Sequence, residues 1–375
     1  MKWTKKFWRK TRDAISWLLV AVCLLSIFGI MMQYSAAGGD MDPWAKPQLL
    51  RLGIGLCMMW VMAVMPITWL MRLAYPVFGV CVLLLVGVEV FGHIGMGAQR
   101  WISIGPIRIQ PSEFTKLALI LALARYYHMI RTEDINHIVM MLAPLAMLAV
   151  PALLILKQPN LGTATILSLT GISLLFVAGL RWQYFAGLIV AGLAALPIGW
   201  QFLHDYQKQR VMTFLDPGSD PLGSGYNITQ SIIAIGSGGL WGKGFLQGSQ
   251  GQLDFLPEKQ TDFIFTMVAE EFGFVGCMAV LFLFTVILGY GLALILRSKN
   301  RFGSLVAAGV TAMLFFHLLI NVAMVMGLVP VVGVPLPFLS YGGTFLLTTL
   351  FACGLLLNVM THRDVHVSRT MTMHH

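Results

Sequence analysis

Charge is scarce in this chain. Asp, Glu, Lys and Arg make up 11% of the residues and hydrophobic residues 57%, so a water-facing globular surface cannot be covered and the bilayer must be the main solvent. Acids are rarer than bases, which leaves a net charge of +9 at pH 7. The cations stand scattered at the ends of apolar runs rather than in a basic stripe interleaved with aromatics. That pattern excludes nucleic acid as a partner and leaves lipid phosphate. Cysteine is sparse and unpatterned: Cys23, Cys57, Cys81, Cys277 and Cys353 all fall inside apolar runs with no CxxC or His-spaced cluster. Neither a zinc site nor a disulfide framework is indicated. No internal repeat or low-complexity tract is visible, and the methionines are dispersed as adaptable packing.

What the chain has instead is long apolar runs. A helix needs about 20 apolar residues to cross the hydrocarbon core. Runs near that length occur at 14–34, 48–66, 69–91, 113–130, 137–156, 162–180, 183–203, 263–296, 303–327 and 341–361. The expected fold is an all-α polytopic membrane protein of about ten transmembrane helices. The first run follows the basic head MKWTKKFWRKTR and is long enough to be an uncleaved helix rather than a signal peptide. The fourth is interrupted by Lys116 and Arg125 and could lie at the interface instead. Lys and Arg concentrate on one side if both termini are cytoplasmic, as the positive-inside rule requires. The tails are then 1–13 and 362–375, and 204–262 is a large extracytoplasmic loop between the seventh and eighth helices.

Three outward-facing segments carry the unusual residues. In LPEKQTDFIFTMVAEEFG, Asp262 precedes the eighth run, with Glu270 and Glu271 about 12 Å further along a helix. Asp262 suits either an N-terminal cap or chemistry, and acids at such depth normally face a polar cavity. In GAQRWISIGPIRIQPSEFTKL, Arg100, Arg108 and Lys116 flank Gln110, Ser112 and Glu113. PSEFTK reads as a helix start with a Ser cap, and Glu113 and Lys116 can pair on one face. That pair is either a surface ion pair or part of a cationic patch for a lipid-linked diphosphate, and Trp101 suits an interfacial anchor. In NVAMVMGLVPVVGVPLPFLSYGGTF, prolines and paired glycines break any helix, predicting a re-entrant or buried loop that contains Ser340. Arg125 and His317 could act as inner stepping stones, although paired structural roles fit them better. Within 204–262, YNITQSIIAIGSGGLW has the periodicity of a short helix at the membrane surface.

These three segments, in this order, resemble the signatures of the SEDS family (RodA, FtsW and SpoVE proteins) over nearly the whole chain, and the residues before Asp262 resemble its RodA branch most. The resemblance implies a single integral membrane domain over 1–375 in the bacterial plasma (inner) membrane. It implies a peptidoglycan glycosyltransferase that polymerises lipid II at the outer face during cell elongation and releases undecaprenyl diphosphate. It also implies a class B penicillin-binding protein transpeptidase and the elongation machinery as partners. Asp262 matches the family's essential aspartate and is the expected general base. Arg108, Gln110, Ser112, Glu113, Lys116, Trp101 and Arg210 are expected to bind substrate, with Glu270, Glu271 and Ser340 in support. A divalent cation, Mg or Mn, could take part. A lipid II flippase is the competing class, since ten spans and a broken helix are transporter features too.

Overall fold

The computed structural model describes residues 17–91, 93–95, 98–104, 107–202, 205–216, 224–253, 255–256 and 258–365. The expected tail 1–13 lies outside them. In chain order, helices α1 (Trp17–Ala36), α2 (Ala45–Val64) and α3 (Ile67–Phe91) lead to a three-stranded antiparallel ribbon of β1 (His93–Gly95), β2 (Ala98–Ile104) and β3 (Ile107–Ile109). Helices α4 (Pro111–Met129), α5 (Ile138–Lys157), α6 (Leu161–Ala178) and α7 (Trp182–Phe202) follow. The long loop carries α8 (Asp205–Leu215), α9 (Ser224–Ser237) and α10 (Ser249–Gln252), and α11 (Ile264–Arg297), α12 (Arg301–Val325) and α13 (Gly343–Thr361) complete the chain.

Eight of these helices are long and apolar enough to cross a membrane. Helices α4 and α7, of 19 and 21 residues, match them in length and bring the set to the ten expected. Helix α4 does not lie at an interface. It has no polar face, nearly every residue from Pro111 to Ala124 is buried, and it packs against α3, α6 and α12. A helix without a polar face belongs in the middle of a bundle. Its charged residues therefore point into protein, where each needs a partner.

The all-α membrane fold holds, with β1, β2 and β3 adding a short antiparallel ribbon in which Trp101 pairs with His93 and Ser103 with Arg108. Two other expectations are corrected. Helix α4 has Pro111 in its first turn and Gln110 at the N-cap without a side-chain hydrogen bond, so Ser112 is no cap but a buried residue of that turn. Proline fits there because its missing N–H would have had no intrahelical partner. Helix α11 has 34 residues, well beyond one crossing, and breaks at Gly273, whose φ is +63°. The turns before that kink can therefore stand at the outer edge of the bilayer rather than deep within it. Helix α9 packs there, against α11 and α12, and leaves Ile232 and Ile233 exposed, as a helix at the membrane surface would. Ser231 Oγ is 2.7 Å from Thr266 Oγ1 and donates at 2.7 Å to the Val325 carbonyl.

Candidate active site

Asp262 ends a turn, 258–263, that is fastened to the irregular segment 329–340 between α12 and α13. Ser340 Oγ donates to the Thr261 carbonyl at 2.6 Å and accepts the Leu336 N–H at 2.7 Å. The Tyr341 N–H reaches the Gln260 carbonyl at 2.8 Å. Asn321 Nδ2, on α12, donates to the carbonyls of Asp262 at 2.9 Å and Val334 at 2.7 Å. Thr261 Oγ1 closes the turn on Glu258 Oε2 at 3.0 Å. Irregular backbone at this depth persists because its polar groups are paired within protein. Gly333 has φ +68°, and a Cβ there would sit 3.3 Å from Asp262 Oδ2. The carboxylate thus lies against the broken segment, partly exposed. It does not cap α11, whose N-cap is Phe263.

The second group meets the first at the start of α13. Thr344 Oγ1 donates to the Arg108 carbonyl at 3.2 Å and accepts the Gln110 N–H at 3.3 Å. The Arg108 side chain is exposed and Gln110 partly so. One turn into α4, Lys116 Nζ pairs with Glu113 Oε2 at 2.8 Å, with side chains only 2% and 5% exposed. The pair is therefore buried rather than on the surface. Lys116 Nζ also donates to His317 Nε2 at 2.9 Å and stands 5.6 Å from the Phe345 ring centroid. His317 Nδ1 in turn lies 3.4 Å from the Pro335 carbonyl, which fixes its tautomer, since an ammonium can only donate. His317 is thus no inner stepping stone. It ties the cation on α4 to the segment that carries Gly333.

Trp101 sits partly exposed on β2. Arg100 belongs elsewhere, because its guanidinium donates to the carbonyls of Gln158, at 3.2 Å, and Pro159. Arg125 stacks 4.3 Å above the Tyr75 ring and donates to the Arg72 carbonyl. The backbone of Arg210 lies in α8, and its side chain is outside those described.

Glu270 and Glu271 are both engaged by the outer loop. Fully buried Glu270 accepts from Lys243 Nζ at 2.7 Å, Ser249 Oγ at 3.2 Å and the N–H groups of Gln250 and Gly251 at 3.0 and 3.3 Å. Lys259 Nζ then donates to the Gly251 carbonyl at 2.6 Å, three residues before Asp262. Glu271 accepts from Ser35 Oγ, on α1, and from the Leu246 N–H. The two acids clamp the outer loop onto the kink of α11. Asn321, Lys259 and Thr344 were not singled out from sequence as site residues, and His317 was singled out only as an inner stepping stone. The one available signal was that Asn321 and His317 are polar residues within an apolar run. No group of three His, Cys, Asp or Glu residues among those described could hold a metal ion. Glu113 is engaged with Lys116, so the donor set does not form a cation site.

The family model for FtsW, RodA and SpoVE, described as cell cycle protein, matches residues 15–365. Peptidoglycan glycosyltransferase MrdB of Escherichia coli K12 is 42% identical over 96% of this chain and 97% of its own length. Stage V sporulation protein E of Bacillus subtilis is 40% identical, over 94% and 98% respectively. A solved chain from work on coordinated polymerization and crosslinking by a peptidoglycan synthase complex superposes with a TM-score of 0.82 at 32% identity, over 93% of this chain and 98% of that one. The crystal structure of the rod shape determining protein RodA of Thermus thermophilus superposes at 0.70 with 30% identity, over 93% and 97%.

Proposed function

The chain belongs to the FtsW, RodA and SpoVE family, and on that premise we propose that it is a peptidoglycan glycosyltransferase that polymerises lipid II, with Asp262 as its base. It is a multi-pass inner-membrane protein, as its apolar helices and its likeness to MrdB agree. Both termini face the cytoplasm in this reading and the site faces outward, because that orientation puts most cations inside.

The reaction joins an acceptor sugar hydroxyl to the anomeric carbon of a donor whose leaving group is undecaprenyl diphosphate. The new C–O bond forms as the C–O bond to the diphosphate breaks, with inversion at carbon, and the hydroxyl proton goes to a base. Diphosphate leaves readily as an anion, so the nucleophile alone requires proton transfer. One carboxylate suffices, where glycosidases use two. The observation that carries this assignment is the partly exposed Asp262 carboxylate on a turn whose backbone is held by Asn321, Ser340 and Tyr341. Such fixing keeps the acceptor proton within reach without reorganisation.

Arg108, exposed beside the start of α13, and Arg210 on α8 would meet the diphosphate. Lys116 acts from a buried position, its charge already balanced by Glu113, and shapes the field at the leaving group rather than supplying a free cation. Ser340 holds the base's turn, and Glu270 and Glu271 hold the loop above it. The likeness to a chain from a synthase complex supports a crosslinking partner. In this reading it is a class B penicillin-binding protein transpeptidase, working with the elongation machinery. The test is glycan-strand synthesis from purified lipid II, with and without that transpeptidase. Polymer that depends on Asp262 supports the assignment, and lipid II crossing vesicle membranes without polymer would replace it by the flippase.

A further inference from the structure

Arg51 is a cation that the mechanism above leaves unused. It lies on α2 six residues after Ala45, about 9 Å along the helix from its outer end. An ionisable residue within a membrane span is costly and calls for a partner. Its guanidinium carbon stands 4.9 Å from the Tyr341 ring centroid. It lies against Gly343, where a Cβ would come within 3.2 Å of Nε and 3.3 Å of Cζ, so a larger residue there would press on it. Gln48, one turn earlier, donates to the Ser340 carbonyl at 3.1 Å and sets the register of α2 against the same segment. Yet Arg51 Nη1 is buried without a hydrogen-bond acceptor among the described residues. A buried charged donor left unpaired is a large penalty, which an incoming anion's oxygen would remove.

The position bears on the chemistry. Tyr341, on which Arg51 stacks, bonds through its N–H to the turn of Asp262. Two residues beyond Tyr341, Gly343 touches Arg51, and the next residue, Thr344, bonds to the Arg108 carbonyl. Arg51 and Arg108 therefore approach the start of α13 from different elements, α2 and the ribbon. Polymerisation needs two lipid-linked diphosphates side by side, one that leaves and one that stays on its sugar.

We propose that Arg51 is a second diphosphate-binding residue, which holds the lipid-linked substrate whose diphosphate is not the one balanced by Arg108. This rests on the glycosyltransferase assignment for the identity of the ligand. The shared chemistry is a phosphate ester at the outer leaflet, which a phospholipid headgroup also offers, and the experiment separates the two.

Full-length protein carrying Asp262→Asn, alone and combined with Arg51→Gln or Arg51→Lys, is reconstituted in nanodiscs. Binding of farnesyl diphosphate is measured with phosphatidylglycerol present and absent. The expected result is a loss of diphosphate affinity of about tenfold or more in Arg51→Gln, the scale of one charge-assisted hydrogen bond, with Arg51→Lys in between. In the active background, Arg51→Gln raises the lipid II concentration for half-maximal rate by a similar factor and changes the maximal rate little. Unchanged diphosphate affinity in a folded Arg51→Gln protein overturns the proposal. A loss seen only for phosphatidylglycerol, with diphosphate binding intact, also overturns it in favour of a phospholipid site. Should Arg51→Gln fail to fold, Arg51→Lys carries the same comparison. Because binding is read with Asp262 already replaced, failure of the base assignment appears separately, as polymer made by the Asp262→Asn protein.

Discussion

Replacing Asn321 with Leu tests whether the base is held as described. Asn321 is fully buried on α12, and its one amide nitrogen satisfies two carbonyls, those of Asp262 and Val334. Leucine keeps the branched shape and the number of heavy atoms, so the core stays filled and the main loss is the polar pairing. The buried Val334 carbonyl left without a donor costs about 1–3 kcal/mol, and the Asp262 carbonyl, only part-buried, adds less because water can reach it. That is a large share of the net stability of most domains, about 5–15 kcal/mol. The functional effect follows from the same bond: once the Asp262 carbonyl is released, the turn can rotate and the carboxylate no longer faces Gly333 in one position. The maximal polymerisation rate should fall at least tenfold, with little change in the lipid II concentration for half-maximal rate, since Asn321 is not placed against the lipid's diphosphate. Stability is read by reversible SDS titration and rate by glycan-strand synthesis. An Asn321→Leu protein with both the wild-type unfolding midpoint and the wild-type rate would refute the reasoning.

Other consequences can be checked the same way. Removing one member of the buried Glu113–Lys116 pair should cost about 3–5 kcal/mol, while replacing both, Glu113→Gln with Lys116→Met, should cost less than the two singles together; additive costs in the same titration would show that the pair is not coupled. Glu270→Ala leaves Lys243 and the N–H groups of Gln250 and Gly251 without their acceptor, so limited proteolysis should cut within 243–253 faster than in wild type, and an unchanged digestion pattern would count against the clamp. Thr344→Val should weaken the tie between the ribbon and α13 and raise the lipid II concentration for half-maximal rate through Arg108, where Thr344→Ser should not; equal behaviour of the two variants would remove the hydroxyl from the account.

The membrane helices were legible because their signal is local: an unbroken apolar run is sufficient to mark a crossing. Helix α4 was legible as a helix but not as the centre of the bundle, since Lys116 finds His317 only after 201 residues of chain have folded around it. The ribbon was missed although QRWISI and IRI alternate as strands do, because apolar runs on either side dominated the pattern. Glu270 and Glu271 were recognised as too costly for lipid, but their partners Lys243, Ser249 and Ser35 come from the loop and α1, and no spacing rule links them. Asp262 was marked from the sequence as either a cap or a chemical group, and family resemblance decided for chemistry. Asn321, which holds Asp262 to the neighbourhood of Ser340, was not marked, because a single asparagine in an apolar run has no sequence pattern of its own.

The central claim is that Asp262 takes the acceptor's proton. It is tested most directly by glycan-strand synthesis from purified lipid II, comparing wild type with Asp262→Asn at equal folded yield. Asparagine keeps the shape of the side chain and removes the base. The account predicts polymer from wild type and at least a hundredfold less from the variant, the usual scale of a general base, with lipid II binding retained. Polymer at the wild-type rate from Asp262→Asn would contradict it.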